Sequence, residues 1–153
     1  MGCFGLEYEN SMKKTSIIII SLLVVIAVGL LFIPEDKLPD NTGIWENAVY
    51  TQNTTLGTGE NTLIVTVVAE EKSVDFTIKT DKTVVGDVLK EYKLIDGEEG
   101  PYGLYVKVVN GIEADYDKDQ TYWSFEKDGE AMLTGVDNTE FKDGDCYELV
   151  RTK

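Results

Sequence analysis

The stretch Leu63-Ile64-Val65-Thr66-Val67-Val68-Ala69, broken by Glu70-Glu71-Lys72 and resumed by Ser73-Val74-Asp75-Phe76-Thr77-Ile78-Lys79-Thr80, decides the fold. Two β-rich runs separated by three polar residues read as a hairpin. A helix follows: Thr83 stands as its N-cap, and Val84, Val85, Val88, Leu89 and Tyr92 recur at helical spacing, with Lys and Glu on the other side. Gly97 to Gly103 reads as a loop. Leu104 to Val109 is a strand closed by the hairpin signal Asn110-Gly111, and Thr121 to Glu126 is a strand closed by Lys127-Asp128-Gly129. Cys146 to Arg151 forms the last strand, after the turn Asp143-Gly144. Two strands, one helix and several further strands make an α+β arrangement in which one helix covers a mixed sheet. The commonest small fold with this order is the β-grasp, the ubiquitin-like topology. Residues 62–153 are enough for one modest core.

Upstream the character changes twice. Ile17 to Ile33 is apolar except for Ser21 and Gly29, and it follows Lys13-Lys14. As a helix it rises roughly 25 Å, at the short end of what spans a bilayer. The positive flank predicts an N-inside, C-outside orientation, with residues 1–16 cytoplasmic and 17–33 a transmembrane anchor. Ala27-Val28-Gly29 would pass as a signal-peptide cleavage site, but the apolar run continues beyond it, which favours an uncleaved anchor. Met12-Lys13-Lys14 looks like a natural start, with residues 1–11 an extension. Residues 34–61, rich in Pro, Asp, Asn, Thr and Gly, read as a flexible extracytoplasmic stalk. Within it Ile44, Trp45, Val49 and Tyr50 form an apolar island, read as a short docking segment. The expected location is the cell membrane, with a single pass and the C-terminal domain outside.

Composition removes whole classes of function. The 153 residues carry 28 Asp and Glu against 14 Lys and Arg, a formal net charge of −14. That field opposes nucleic-acid binding. Histidine is absent, which removes His-based triads and imidazole ligands or bases. Cys146 reads as a small apolar strand residue, with no base beside it in sequence to make it a nucleophile. Carboxylate pairs such as Glu98-Glu99 and Asp143/Asp145 sit beside glycines in turns, where Asp favours the turn itself. Asp115, Asp117 and Asp119, with Glu126 downstream, superficially fit a calcium loop. Gln120 replaces the glycine of its sharp turn, and the flanks read as strands, so the segment is taken as a solvated acidic loop with no metal.

Two stretches carry more than a pattern. One is Gly100-Pro101-Tyr102-Gly103-Leu104-Tyr105-Val106-Lys107-Val108-Val109-Asn110-Gly111. The other is Thr121-Tyr122-Trp123-Ser124-Phe125-Glu126-Lys127-Asp128-Gly129, continuing through Gly135-Val136-Asp137 to Lys142-Asp143-Gly144-Asp145-Cys146-Tyr147-Glu148-Leu149. Together they resemble the C-terminal domain of transcobalamin and intrinsic factor and its bacterial, surface-located relatives, over roughly residues 62–152. The resemblance implies a β-grasp domain that faces a corrin ring. The carriers add a large helical domain with no counterpart here, so only the capping half of such a site is implied.

The expected activity is therefore non-catalytic: a membrane-anchored binding module for a small ligand, which the resemblance makes a corrinoid such as cobalamin, with a partner surface protein or transporter. The alternative is an adhesion module for cell-wall glycan or a partner protein. No cofactor is expected apart from cobalamin as ligand. The expected ligand surface is Tyr102, Tyr105, Tyr122 and Trp123 with the Asp128-Gly129 turn. Alternation puts Tyr122, Ser124 and Glu126 on one face of their strand and Trp123 and Phe125 on the other. Trp123 and Phe125 are the candidates for core.

Overall fold

A computed structural model describes residues 43–153. It begins with a 3-10 turn, Gly43–Asn47, and a short strand β1, Thr54–Gly57. The hairpin follows as strands β2, Asn61–Ala69, and β3, Lys72–Thr80. In β2, Leu63, Val65, Val67 and Ala69 are buried while the residues between them are half-buried; in β3 the same holds for Val74, Phe76 and Ile78. This two-residue period gives the sheet one packed face. Glu70, at φ 57°, makes the tight turn between the two strands.

Helix α1 spans Val85–Glu91 and buries Val85, Gly86, Val88 and Leu89. Its N-cap is Val84, in extended backbone and without a side-chain cap bond, in place of the expected Thr83. Residues 83–85 are pinned by an isolated β-bridge instead: the Phe141 amide donates to the Thr83 carbonyl, the Val85 amide donates to the Thr139 carbonyl, and Val84 bridges to Glu140. Pairing with a distant segment supplies what a capping hydroxyl would have given.

Then come β4, Ile95–Gly100; β5, Gly103–Val109; and β6, Ile112–Glu113. The expected loop over 97–103 is thus corrected, because residues 97–100 pair with β5 as a strand. A single turn of helix, α2, Tyr116–Asp119, leads to β7, Tyr122–Lys127, and β8, Glu130–Ala131. A second 3-10 turn, Val136–Asn138, precedes β9, Cys146–Thr152.

Strands β1-β3-β2-β9-β7-β8 form one sheet and β4-β5-β6 a second. β2 is parallel to β9 and antiparallel to β3; β9 is antiparallel to β7; β1 is parallel to β3. The fold is a mixed, sheet-rich α+β arrangement with few helices. Both sheets, α1 and the first 3-10 turn contribute to one buried cluster.

That cluster corrects the stalk. Trp45 is buried, and its indole N–H donates to the Ala69 carbonyl at 3.1 Å. The Lys72 ammonium sits 4.9 Å from its ring centre, and Tyr50 packs edge-on against Phe76. From residue 43 onward the expected stalk is part of the domain, and the apolar island is what docks it. A composition of Asn, Thr and Gly hid this, because the docking depends on two aromatic residues and on backbone pairing. The expected cytoplasmic segment 1–16, the expected anchor 17–33 and residues 34–42 of the expected stalk lie outside the described residues. Among the described residues no helix is long and apolar enough to cross a membrane.

Candidate functional site

The tip of the β4–β5 hairpin is held out from the domain by a small set of contacts. Pro101 and Tyr102 make the turn, and Gly103 at φ 100° lets the chain reverse. Leu104 and Val106 pack on the core, which turns Tyr105 outward beside Glu98, its partner across the ladder. Asp137, in the second 3-10 turn, accepts the Leu104 amide at 3.0 Å. It also meets the Lys90 ammonium at 2.9 Å, and Lys90 reaches Glu99 at 3.4 Å. The hydrogen bond to Asp137 holds the Lys90 ammonium above its ordinary pKa, reinforced by the charges of Asp137 and Glu99 against partial burial. The Asn138 amide nitrogen donates to the Tyr102 carbonyl at 3.2 Å. Gly86 permits this arrangement, since a Cβ there would collide with the Asp137 carboxylate. Helix, turn and hairpin tip are thereby clipped together.

Asp137→Ala is expected to free the tip while leaving the core intact. Hydrogen exchange at the Leu104 amide should quicken at least tenfold, with little change at Val88 or Leu149. Unchanged exchange at Leu104 would show that the tip does not depend on this clip.

Between the tip and the segment before the 3-10 turn lies an open groove of about 520 Å³, lined by Pro101, Tyr102, Gly103, Leu133, Thr134 and Asn138. Tyr102 is 89% exposed and Leu133 is fully exposed. Large apolar side chains held in water beside a concavity are the ordinary mark of a binding surface. None of the lining side chains is charged, which is unusual on a chain of net charge −14.

The expected ligand residues separate. Tyr102 is in the groove, and Tyr105 is half-exposed on β5. Trp123 is buried, so its ring belongs to the core and offers no ligand surface. Phe125, on the same face, is half-buried and stacks on Tyr147 at 5.2 Å. Tyr122 is exposed on the opposite face of β7, at the strand's first residue. Asp128 and Gly129, both with positive φ, turn the chain at the strand's other end. Six residues of extended chain put Tyr122 and that turn roughly 20 Å apart. Leu133, Thr134 and Asn138 were not anticipated. The one signal was the apolar run Ala131-Met132-Leu133 in the short connection between Gly129 and Gly135.

The acidic segment is consumed by its own chain. Asp115 caps α2 through the Asp117 amide and pairs with Lys118 at 3.1 Å. Asp119 accepts the Thr121 amide and hydroxyl and pairs with Arg151 at 2.6 Å. Among the described residues no group of three or more His, Cys, Asp or Glu side chains converges as metal ligands. Lys118 above all lowers the pKa of Asp115, and the Thr121 hydroxyl above all lowers that of Asp119, with Arg151 adding to it. A carboxylate depressed in the folded state stabilises fully above its unfolded pKa, near ~4, and loses that contribution as pH falls through the lower folded value. The denaturation midpoint should therefore be flat from pH 7 to 5 in these terms and fall below about pH 4, with Asp119→Asn flattening that fall. An identical acid limb in Asp119→Asn would contradict the assignment.

Residues 81–146 match the family model described as Domain of unknown function (DUF4430). The match runs from just before α1 to the first residue of β9, so it includes both walls of the groove. A solved structure from Ruminococcus gnavus, described provisionally as a metal binding protein, is 37% identical with a TM-score of 0.58, over 61% of this chain and 98% of its own. Haptocorrin in complex with Cbi is 23% identical with a TM-score of 0.48, over 61% of this chain and 25% of haptocorrin. No curated protein matches the sequence.

Proposed function

We propose that the chain is a membrane-anchored, extracytoplasmic, non-catalytic binding module that takes an uncharged small ligand in the groove at Tyr102. The observation that carries the reading is the neutral lining beside exposed Tyr102 and Leu133 on an otherwise strongly acidic chain. Burying an unpaired charge against such walls is costly, whereas an apolar face is welcome. The apolar run 17–33 after Lys13-Lys14 supports the anchor. The parallel pairing of β2 with β9 between β3 and β7 supports a β-grasp assignment. Absence of histidine, and carboxylates committed to turns and to Lys or Arg, support the lack of catalysis. The resemblance in sequence makes a corrinoid one class of ligand to try.

An open groove buries one side of its ligand, so affinity is expected at micromolar or weaker, roughly −8 kcal/mol at best. Calorimetric titration of the full chain in detergent micelles, with cyanocobalamin and with neutral oligosaccharides, tests the reading. Saturable binding of an uncharged ligand is expected, insensitive to salt between 50 and about 500 mM because no ion pair is involved. Binding confined to charged ligands and abolished by salt would overturn it.

A further inference from the structure

Resting on that reading, we infer that the groove takes a pyranose ring of a neutral glycan, laid on Tyr102 with its hydroxyls donating to Thr134 and Asn138. The direction of the hydrogen bonds carries this. The Thr139 hydroxyl donates its one proton to the Gly135 carbonyl at 2.9 Å. At the 2.9 Å contact between the Thr134 and Thr139 hydroxyls, Thr134 must then be the donor, so the lone pairs of Thr134 Oγ1 remain as acceptors. The Asn138 side chain must present its nitrogen to the Tyr102 carbonyl, since a carbonyl cannot donate. Its Oδ1 is thereby fixed as an acceptor, and no described residue donates to it. Thr134 Oγ1 and Asn138 Oδ1 are thus uncharged acceptors, beside the neutral Tyr102 hydroxyl and the second hydrogen of Asn138 Nδ2.

A matching ligand is uncharged, donates hydrogen bonds from its edge and has an apolar face. A pyranose ring has C–H bonds across its face and hydroxyl donors around its rim. One tyrosine ring covers one such sugar. The groove is open, so a polymer can run through it. Carboxylates in the ligand would meet these acceptors and the surrounding negative field with no Lys or Arg among the lining residues to pair with. An ammonium would find no carboxylate among the lining residues.

The test is calorimetric titration of the full chain in micelles with maltohexaose, cellohexaose, chitohexaose and cyanocobalamin, on the wild type and on Thr134→Val, with thermal unfolding as the control for folding. At least one oligosaccharide is expected to saturate, with affinity reduced about tenfold or more in Thr134→Val at an unchanged unfolding midpoint. Cyanocobalamin binding without any oligosaccharide would overturn the ligand class and leave the binding reading standing. No saturable binding by any of the four would overturn both. Oligosaccharide binding that Thr134→Val leaves unchanged would overturn the placement. If Thr134→Val shifts the unfolding midpoint, Asn138→Leu is read in its place, by the same tenfold criterion.

Discussion

Trp45→Ala should destabilise the full chain by about 3–5 kcal/mol, the range for removing a large buried aromatic side chain. The indole is the wedge by which residues 43–57 join the domain. It fills a site under the β2–β3 turn, donates to the Ala69 carbonyl and lies beneath the Lys72 ammonium. Deleting it leaves a cavity and an unpaired backbone acceptor. Trp45→Phe restores most of the volume and none of the hydrogen bond, and should recover all but about 1–2 kcal/mol of the loss. Denaturant midpoints with unchanged slopes would report these values. A loss below about 1 kcal/mol for Trp45→Ala, within the range of surface substitutions, would return the segment to the status of a stalk.

Asn110→Ala should cost about 3 kcal/mol, though it removes only a small side chain. Asn110 is wholly buried and works as a clamp. Its side chain accepts the Tyr50 amide at 2.9 Å and donates to the Tyr50 carbonyl at 2.7 Å, imitating a strand partner. Its own backbone donates to Leu94 and accepts from Val49. The residue also holds φ at 52°, a left-handed conformation that Asn tolerates better than Ala. Alanine therefore orphans two polar groups of Tyr50 and adds backbone strain. Glycine should orphan the same groups without the strain, and recover about 1 kcal/mol relative to alanine. If glycine matched the wild type, the side-chain clamp would carry no weight and the turn conformation alone would explain the residue.

These two positions show where sequence reasoning reaches and where it stops. Asn110-Gly111 reads as a hairpin from the dipeptide alone, and β5 and β6 do turn there. Its second role depends on Tyr50, sixty residues away, and no local pattern reports such a pairing. The β2–β3 hairpin and the buried face of α1 were legible because alternation and helical spacing are local properties of the chain. The start of α1 was not, because residues 139–141 satisfy it from a distance. For β4, Gly97-Glu98-Glu99-Gly100 has the composition of a loop, and it is held as an exposed edge by pairing with apolar β5. Of the expected ligand residues, Tyr102 was legible as an aromatic in a turn. Tyr122 and Trp123 are adjacent in sequence but lie on opposite faces of one strand, so a shared surface was a property of the sequence listing order rather than of space. Leu133, Thr134 and Asn138 come to the groove only through the clip made by Asp137 and Asn138.

The most direct test of the central claim is the ligand affinity of Tyr102→Ala beside that of Tyr122→Ala, measured by calorimetry on the full chain in micelles with whichever uncharged ligand saturates the wild type. Both side chains are exposed, so neither substitution should disturb the core. The account predicts that Tyr102→Ala weakens binding at least tenfold, about 1.4 kcal/mol, and that Tyr122→Ala leaves it unchanged. Full affinity in Tyr102→Ala, with the loss falling on Tyr122→Ala, would contradict it.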